Sequence, residues 1–364
     1  MEKTIMEWEL LGIILAGFGA LYLWAFRIPY SLPHPIATPV GRENRFDILR
    51  GFAMIGIVII HIHSYFQFFH PADTSVIRTT LFLSNLSRFS VPLFIITSAI
   101  FLRKKEGYWT SKFKNLLIPY TIASVVGYFI KYNHYTVLEF LQFYLLGKVF
   151  APFYFVPLLI QFYIFYYIFE RILMNSKYSN SLLLISFLIN LSSNLGFFDN
   201  LIAKDYHSIS ILNYIFFFLL GIRIGLSKEE KNKPAANIFV LLGTFSLIIL
   251  FLLICFSGIY GVDFKNHHLV YPIFFFLFIW EILPKLSQKV SNWICFIGTN
   301  SLFIFLLHPF VIHMMHSFDP YSFGGPILGY IVTLILNVGI PTAIAVIVQK
   351  GKSLYQSHHF PEQQ

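Results

Sequence analysis

The chain has 364 residues, of which 57% are hydrophobic and only 12% charged, an apolar fraction above the roughly 45–50% of soluble domains. Its apolar residues come in blocks of roughly 17 to 25 with few charges, the length an α-helix needs to cross about 30 Å of hydrocarbon. That pattern excludes a soluble enzyme, a secreted disulfide scaffold and a disordered chain, and the alternation of a membrane β-barrel is absent. The net charge of +9 does not point to nucleic acid, because the basic residues cluster between apolar blocks as loops of membrane proteins do. Cys255 and Cys295 lie inside apolar blocks with no metal-ligand spacing around them, so they read as small core residues.

The expected fold class is all-α, a polytopic membrane helical bundle of about eleven transmembrane helices. In chain order the segments are 8–26, 46–66, 79–102, 115–131, 153–173, 181–198, 209–226, 236–256, 270–284, 292–316 and 327–348. The first follows acidic Glu7 and Glu9 and lacks a basic leader region, so it reads as a retained helix rather than a signal peptide. A Pro-rich connector, SLPHPIATPV at 31–40, sets it apart. The domains expected are therefore an extra N-terminal helix with its connector at 1–41, a ten-helix core at 42–350 and a short tail at 351–364.

Lys and Arg set the orientation. If the loop before the second segment is cytoplasmic, the inside loops hold eighteen basic residues and the outside loops six. The positive-inside rule then gives a cell-membrane protein with an external N-terminus and a cytoplasmic C-terminus. No repeat, nucleotide-binding glycine loop, HExxH or GxSxG is present, which removes the usual signposts of soluble catalysis.

Ionisable groups inside membrane segments cost about 2.5–3.5 kcal/mol each on insertion scales. The second segment, RFDILRGFAMIGIVIIHIHSYF, carries the most: Arg45, Asp47, Arg50, His61 and His63. At about 100° per residue, the steps from Arg50 to His61 return to within roughly 20° of one face, with Asp47 three residues before Arg50 and within pairing reach. His63 points to the other side. The rise from Arg50 to His61 is about 16.5 Å, which aligns a basic group at the inner interface with an imidazole near mid-membrane. The plain alternative is an anchoring ion pair at Asp47 and Arg50, with His61 bonded to a neighbouring helix.

These residues carry a resemblance. RFDILRGFAMIGIVIIH resembles the opening motif of the acyltransferase family 3 membrane proteins, in which Asp, Arg-Gly and a His ten residues beyond the Arg recur; here they are Asp47, Arg50, Gly51 and His61. VPLFIITSAIFLRKK at 91–105 is similar to that family's Phe-x-x-Ser-Gly segment, with Ser98 at the Ser position and Ala99 where Gly is usual. FYFVPLLIQFYIF, FFFLLGIRIG and SLFIFLLHPFVI follow in the family's order. The resemblance covers the ten-helix core and not the first segment. In related families of the same superfamily the His position is often Asn, so His61 favours the acyltransferase branch.

The resemblance implies transfer of an acyl group, usually acetyl, from cytoplasmic acetyl-CoA or another acyl-CoA to a hydroxyl of an extracytoplasmic polysaccharide or cell-wall glycan. No bound cofactor and no metal are expected. The lipid bilayer, the acyl-CoA and the glycan are the expected partners, with a cell-wall synthesis protein as a further candidate because no soluble acceptor domain follows the last segment. In such chemistry His61 acts as base or acyl relay, Arg50 as the charge partner of donor or oxyanion, and Asp47 orients Arg50. Arg45, Arg103, Lys104, Lys112 and Lys114, with Lys105, form the basic patch expected to hold donor phosphates, although the positive-inside rule alone would also place them there. Arg88, with Asn85 before it, and Ser98, Gln161 and His308 are acceptor-binding or structural polar groups. For His308 the structural partner would be the carbonyl freed by Pro309. The competing readings are an exporter of polysaccharide or lipid-linked sugar, whose hallmarks would be repeat symmetry or broken helices around a midplane site, neither of them visible although Pro92, Pro157, Pro272 and Pro309 could break helices, and a structural subunit of a cell-wall complex.

Overall fold

The computed structural model describes residues 44–71, 74–133, 136–227, 269–283 and 286–359. The segments expected at 8–26 and 236–256, with Cys255, lie outside the described residues. Among the described residues every regular element is helical. We number the α-helices α1 (Asn44–Phe69), α2 (Ser75–Leu86), α3 (Ser90–Ile100), α4 (Tyr108–Lys131, widened to a π turn at Phe113–Leu117), α5 (Val137–Leu146), α6 (Ala151–Leu173), α7 (Ser176–Asn194), α8 (Ile215–Ser227), α9 (Val270–Ile282), α10 (Gln288–Thr299), α11 (Ser301–Met315) and α12 (Pro326–His359).

Five stretches are long and apolar enough to cross a membrane: α1, α2 with α3, α4, α6, and the 326–351 part of α12. The pair α10 and α11 makes a sixth if counted as one span. The sequence count of about eleven is thus not reproduced among the described residues. One reason is that apolar content does not report continuity. The block read as one helix at 292–316 bends by 75° between Thr299 and Ser301, and the block at 209–226 is helical in the α sense only from Ile215, after two 3-10 turns at Lys204–Ile209 and Ile211–Asn213. The other is length: α8 and α9, in the blocks read at 209–226 and 270–284, have only 13 residues each, too short to count as spans.

The centre of the bundle is α1, which packs against α2, α3, α10, α11 and α12. Glycine makes the closest of these approaches. A Cβ on Gly51 would collide with the backbone oxygen of Ile294 in α10, and one on Gly298 with that of Asp47. The same device joins α8 to α3, where Gly221 and Gly225 lie against the carbonyls of Ile96 and Ile100. Small residues four apart let helices approach backbone to backbone, which is how membrane helices associate without a hydrophobic driving force. The GIRIG sequence is therefore a packing surface.

Candidate functional site

The second apolar stretch is interrupted in its middle. After α2, residues 87–89 form a turn, and α3 restarts at Ser90, with Pro92 in its first turn. Proline is tolerated there because the first amides of a helix have no intrahelical acceptor. Ser90 donates to the carbonyl of Ser87 across the turn (2.6 Å), and there is no room for a side chain at Gly56 of α1, which packs on the Ser90 hydroxyl. Arg88 sits in this turn.

Beside it is a cavity of about 210 Å³ lined by Ile57, Ile60 and His61 of α1, by Arg88, Val91 and Pro92, by Ala151, Pro152, Tyr154 and Phe155 of α6, and by Tyr214 and Phe305. Most of the wall is apolar, and the polar groups are one imidazole, one guanidinium and two phenols. Such a pocket, with a few convergent polar groups, has the make-up of a small-molecule site. The ring nitrogens of His61 hydrogen-bond to no described residue. The Nε of Arg88 is buried and likewise unpartnered among the described residues. The hydroxyls of Tyr154 and Tyr214 lie next to each other and within electrostatic reach of Arg88. His308 of α11, which is fully buried, stands behind His61 with ring centroids 5.4 Å apart and planes inclined by 44°. An imidazole in such a setting can accept a proton, and a guanidinium can stabilise a developing negative charge.

Towards the N-terminal end of α1 is a second polar group. Arg50 lies 3.2 Å from the carboxylate of Asp47, which is 2% exposed, and reaches the carbonyl of Thr97 at 3.5 Å. Lys112 is close enough to Arg50 for the two charges to interact, and its ammonium lies over the Tyr163 ring at 4.1 Å. The aliphatic stems of long cations bury well against aromatic faces while the heads keep their charge.

The remaining sequence candidates are placed apart from one another. Arg45 stacks on Trp280 of α9 at 4.7 Å. Arg103 donates to the carbonyls of Leu102 (2.8 Å) and Gly225 (3.3 Å), tying the end of α3 to α8. Lys104 covers Tyr167 at 4.1 Å, and Lys114 is exposed on the π turn of α4. Ser98 is half-buried, one residue beyond the carbonyl that Arg50 reaches. Gln161 donates to the carbonyl of Ile209 at 2.8 Å, pinning the 3-10 turn over α6. Asn85 is buried and does not line the cavity. His308 bonds the carbonyl of Ile304 at 2.8 Å and also interacts with that of Phe305, which Pro309 leaves without its usual donor. His63 does not line the cavity; it lies 3.0 Å from the Thr80 hydroxyl and within electrostatic reach of Arg88.

The sequence did not single out Tyr154 and Tyr214, which line the cavity. Their signal was slight: a tyrosine two residues after Pro152, and another closing the polar stretch before α8. It also kept Arg88 apart from His61, because the break that brings them together is hidden within a continuous apolar block.

The sequence model of the acyltransferase domain of acyltransferase family 3 matches residues 43–346. The chain belongs to this family. The match begins one residue before α1 and ends within α12, so both polar groups lie inside it. Among curated proteins, the probable poly-beta-1,6-N-acetyl-D-glucosamine export protein of Staphylococcus aureus strain MSSA476 is 24% identical over 325 residues, covering 83% of this chain and 91% of its own. The protein of the same name from Staphylococcus epidermidis is 24% identical over 333 residues, covering 85% and 93%. No solved structure matches. As a member of the acyltransferase 3 family with several apolar helices, the chain is a multi-pass membrane protein of acyltransferase type.

Proposed function

We propose that this membrane acyltransferase moves an acyl group, acetyl in the simplest case, from a cytoplasmic acyl-CoA to a hydroxyl of an extracytoplasmic glycan. The observation that carries the reading is the cavity at the middle of the bundle, where His61 and Arg88 converge on one small space, with Arg50 and Lys112 further along the same helix bundle towards the expected cytoplasmic side. Arg50 and Lys112 hold the donor phosphates by charge-assisted contacts, and Asp47 fixes the direction of Arg50. A donor held there must extend its thioester about 16.5 Å along α1 to reach His61.

In the cavity the acceptor hydroxyl oxygen attacks the thioester carbonyl carbon while His61 takes its proton. Negative charge then collects on the former carbonyl oxygen, next to Arg88 and the N-terminal end of α3, both electropositive. Collapse breaks the carbon–sulfur bond, and the departing thiolate takes the proton from His61. The apolar lining keeps water from competing with the acceptor hydroxyl.

A second reading has an observation of its own. The related staphylococcal proteins are named as probable exporters, and the turn at 87–89 interrupts a span beside a central cavity, a feature of transporters as well. One experiment separates the two: purified protein in vesicles receives labelled acetyl-CoA on one side and a glycan oligomer on the other. Label on the oligomer supports transfer. Passage of unlabelled oligomer without incorporation supports export and contradicts the proposal.

A further inference from the structure

Pro309 stands at the ninth position of α11, and because it has no N–H the carbonyl of Phe305 loses its usual helical donor. Just before it, Nδ1 of His308 is 2.8 Å from the carbonyl oxygen of Ile304. A carbonyl only accepts, so the proton of the neutral ring sits on Nδ1 and Nε2 carries the lone pair. That Nε2 is buried and has no partner among the described residues. Leaving a buried acceptor unpaired is unfavourable, and the neighbouring imidazole is that of His61, at a ring-centroid separation of 5.4 Å. Two imidazoles joined by an N–H···N bond have centroids roughly 5 Å apart, given ordinary hydrogen-bond lengths, so the observed separation is compatible with such a bond.

We infer that His308 is the positioning residue of His61: its Nε2 accepts the single N–H of the neutral His61 ring and thereby turns the other nitrogen of His61, with its lone pair, towards the cavity. The inference rests on the acyl-transfer reading of the cavity. It gives both histidines their missing partners with one bond. A carboxylate usually performs this task for a catalytic histidine, but a carboxylate here would bring a full charge into the bundle, whereas His308 supplies an acceptor without one. When His61 takes the proton of the acceptor hydroxyl, its bond to His308 becomes charge-assisted and stronger, which favours the protonated intermediate. The Ile304 carbonyl, in turn, keeps His308 from presenting a donor that would invert the arrangement.

The test compares His308→Ala, which removes the acceptor, with His308→Gln, which restores an acceptor oxygen, each in the full-length protein purified as a monodisperse species. The inference expects kcat for acyl transfer to fall about 10- to 100-fold in His308→Ala, as for residues that orient a reacting group, with KM for acyl-CoA unchanged. It expects His308→Gln to recover most of the loss. Adding His308→Ala to His61→Ala should change nothing more, since His308 acts only through His61. Multiplying effects in the double variant, a KM effect without a kcat effect, or a folded His308→Gln as impaired as His308→Ala would each overturn it while leaving the acyltransferase reading intact. A wild-type protein without transfer activity, or a fully active His61→Ala variant, overturns that reading and this role together.

Discussion

Gly298 of α10 rests directly on the backbone carbonyl of Asp47 in α1, leaving no room for a Cβ. The contact fixes the start of α1 against α10 at the level where Asp47 turns to Arg50, so a packing glycine sets the position of the Asp47–Arg50 ion pair. Gly298→Ala must push the helices apart. It should destabilise the protein by about 1–3 kcal/mol, the range for overpacked cores, read as a lower midpoint of thermal unfolding in detergent, and should weaken donor binding as Arg50 shifts.

Arg50 has a different signature. If it holds donor phosphates, Arg50→Ala removes charge-assisted bonds of about 1.5–3 kcal/mol, which corresponds to roughly 10- to 100-fold in apparent affinity. Steady-state kinetics should show KM for acyl-CoA rising by that factor with a smaller change in kcat. A variant with unchanged KM and reduced kcat would instead place Arg50 at the reacting carbonyl.

Arg88 should show the reverse pattern. Arg88→Gln removes the guanidinium beside the cavity while keeping much of its volume, and the loss of one donor to a developing oxyanion costs about 10²- to 10³-fold in kcat. KM for acyl-CoA should move little, and Arg88→Lys should retain part of the activity. A purely structural Arg88 would give poorly folded protein in both variants.

His63 provides the control on the same helix. Its hydrogen-bond partner is Thr80, and it does not line the cavity, although it is within electrostatic reach of Arg88. His63→Ala should cost about 1 kcal/mol of stability, the net worth of a buried hydrogen bond, and leave kcat within about twofold of wild type in the transfer assay.

These expectations show what the sequence made legible. The spacing of Arg50, His61 and His63 on one helix was enough to turn His61 and His63 to different sides, because helical periodicity is a local property. The family motif and the Asp47–Arg50 pair, three residues apart, were readable for the same reason. What escaped was long-range. Arg88 reaches the cavity because the helix stops at 87–89 and restarts at Ser90, and hydropathy does not distinguish a continuous apolar helix from one interrupted by a turn. The bend after Thr299 was hidden in the same way. Tyr154 and Tyr214 come from segments sixty residues apart in sequence, joined by the tertiary packing of α6 and α8. The basic residues at 103–114 were legible as a patch but not as separate fates: Lys112 beside Arg50, Arg103 tied to α8, and Lys114 exposed.

The most direct test of the account is the kcat for acyl transfer from labelled acetyl-CoA to a glycan acceptor, measured for wild type and His61→Ala at saturating donor. Loss of the general base predicts a fall of about 10²- to 10⁴-fold, with passage of polymer across the membrane unchanged. Transfer at the wild-type rate without His61 would contradict it.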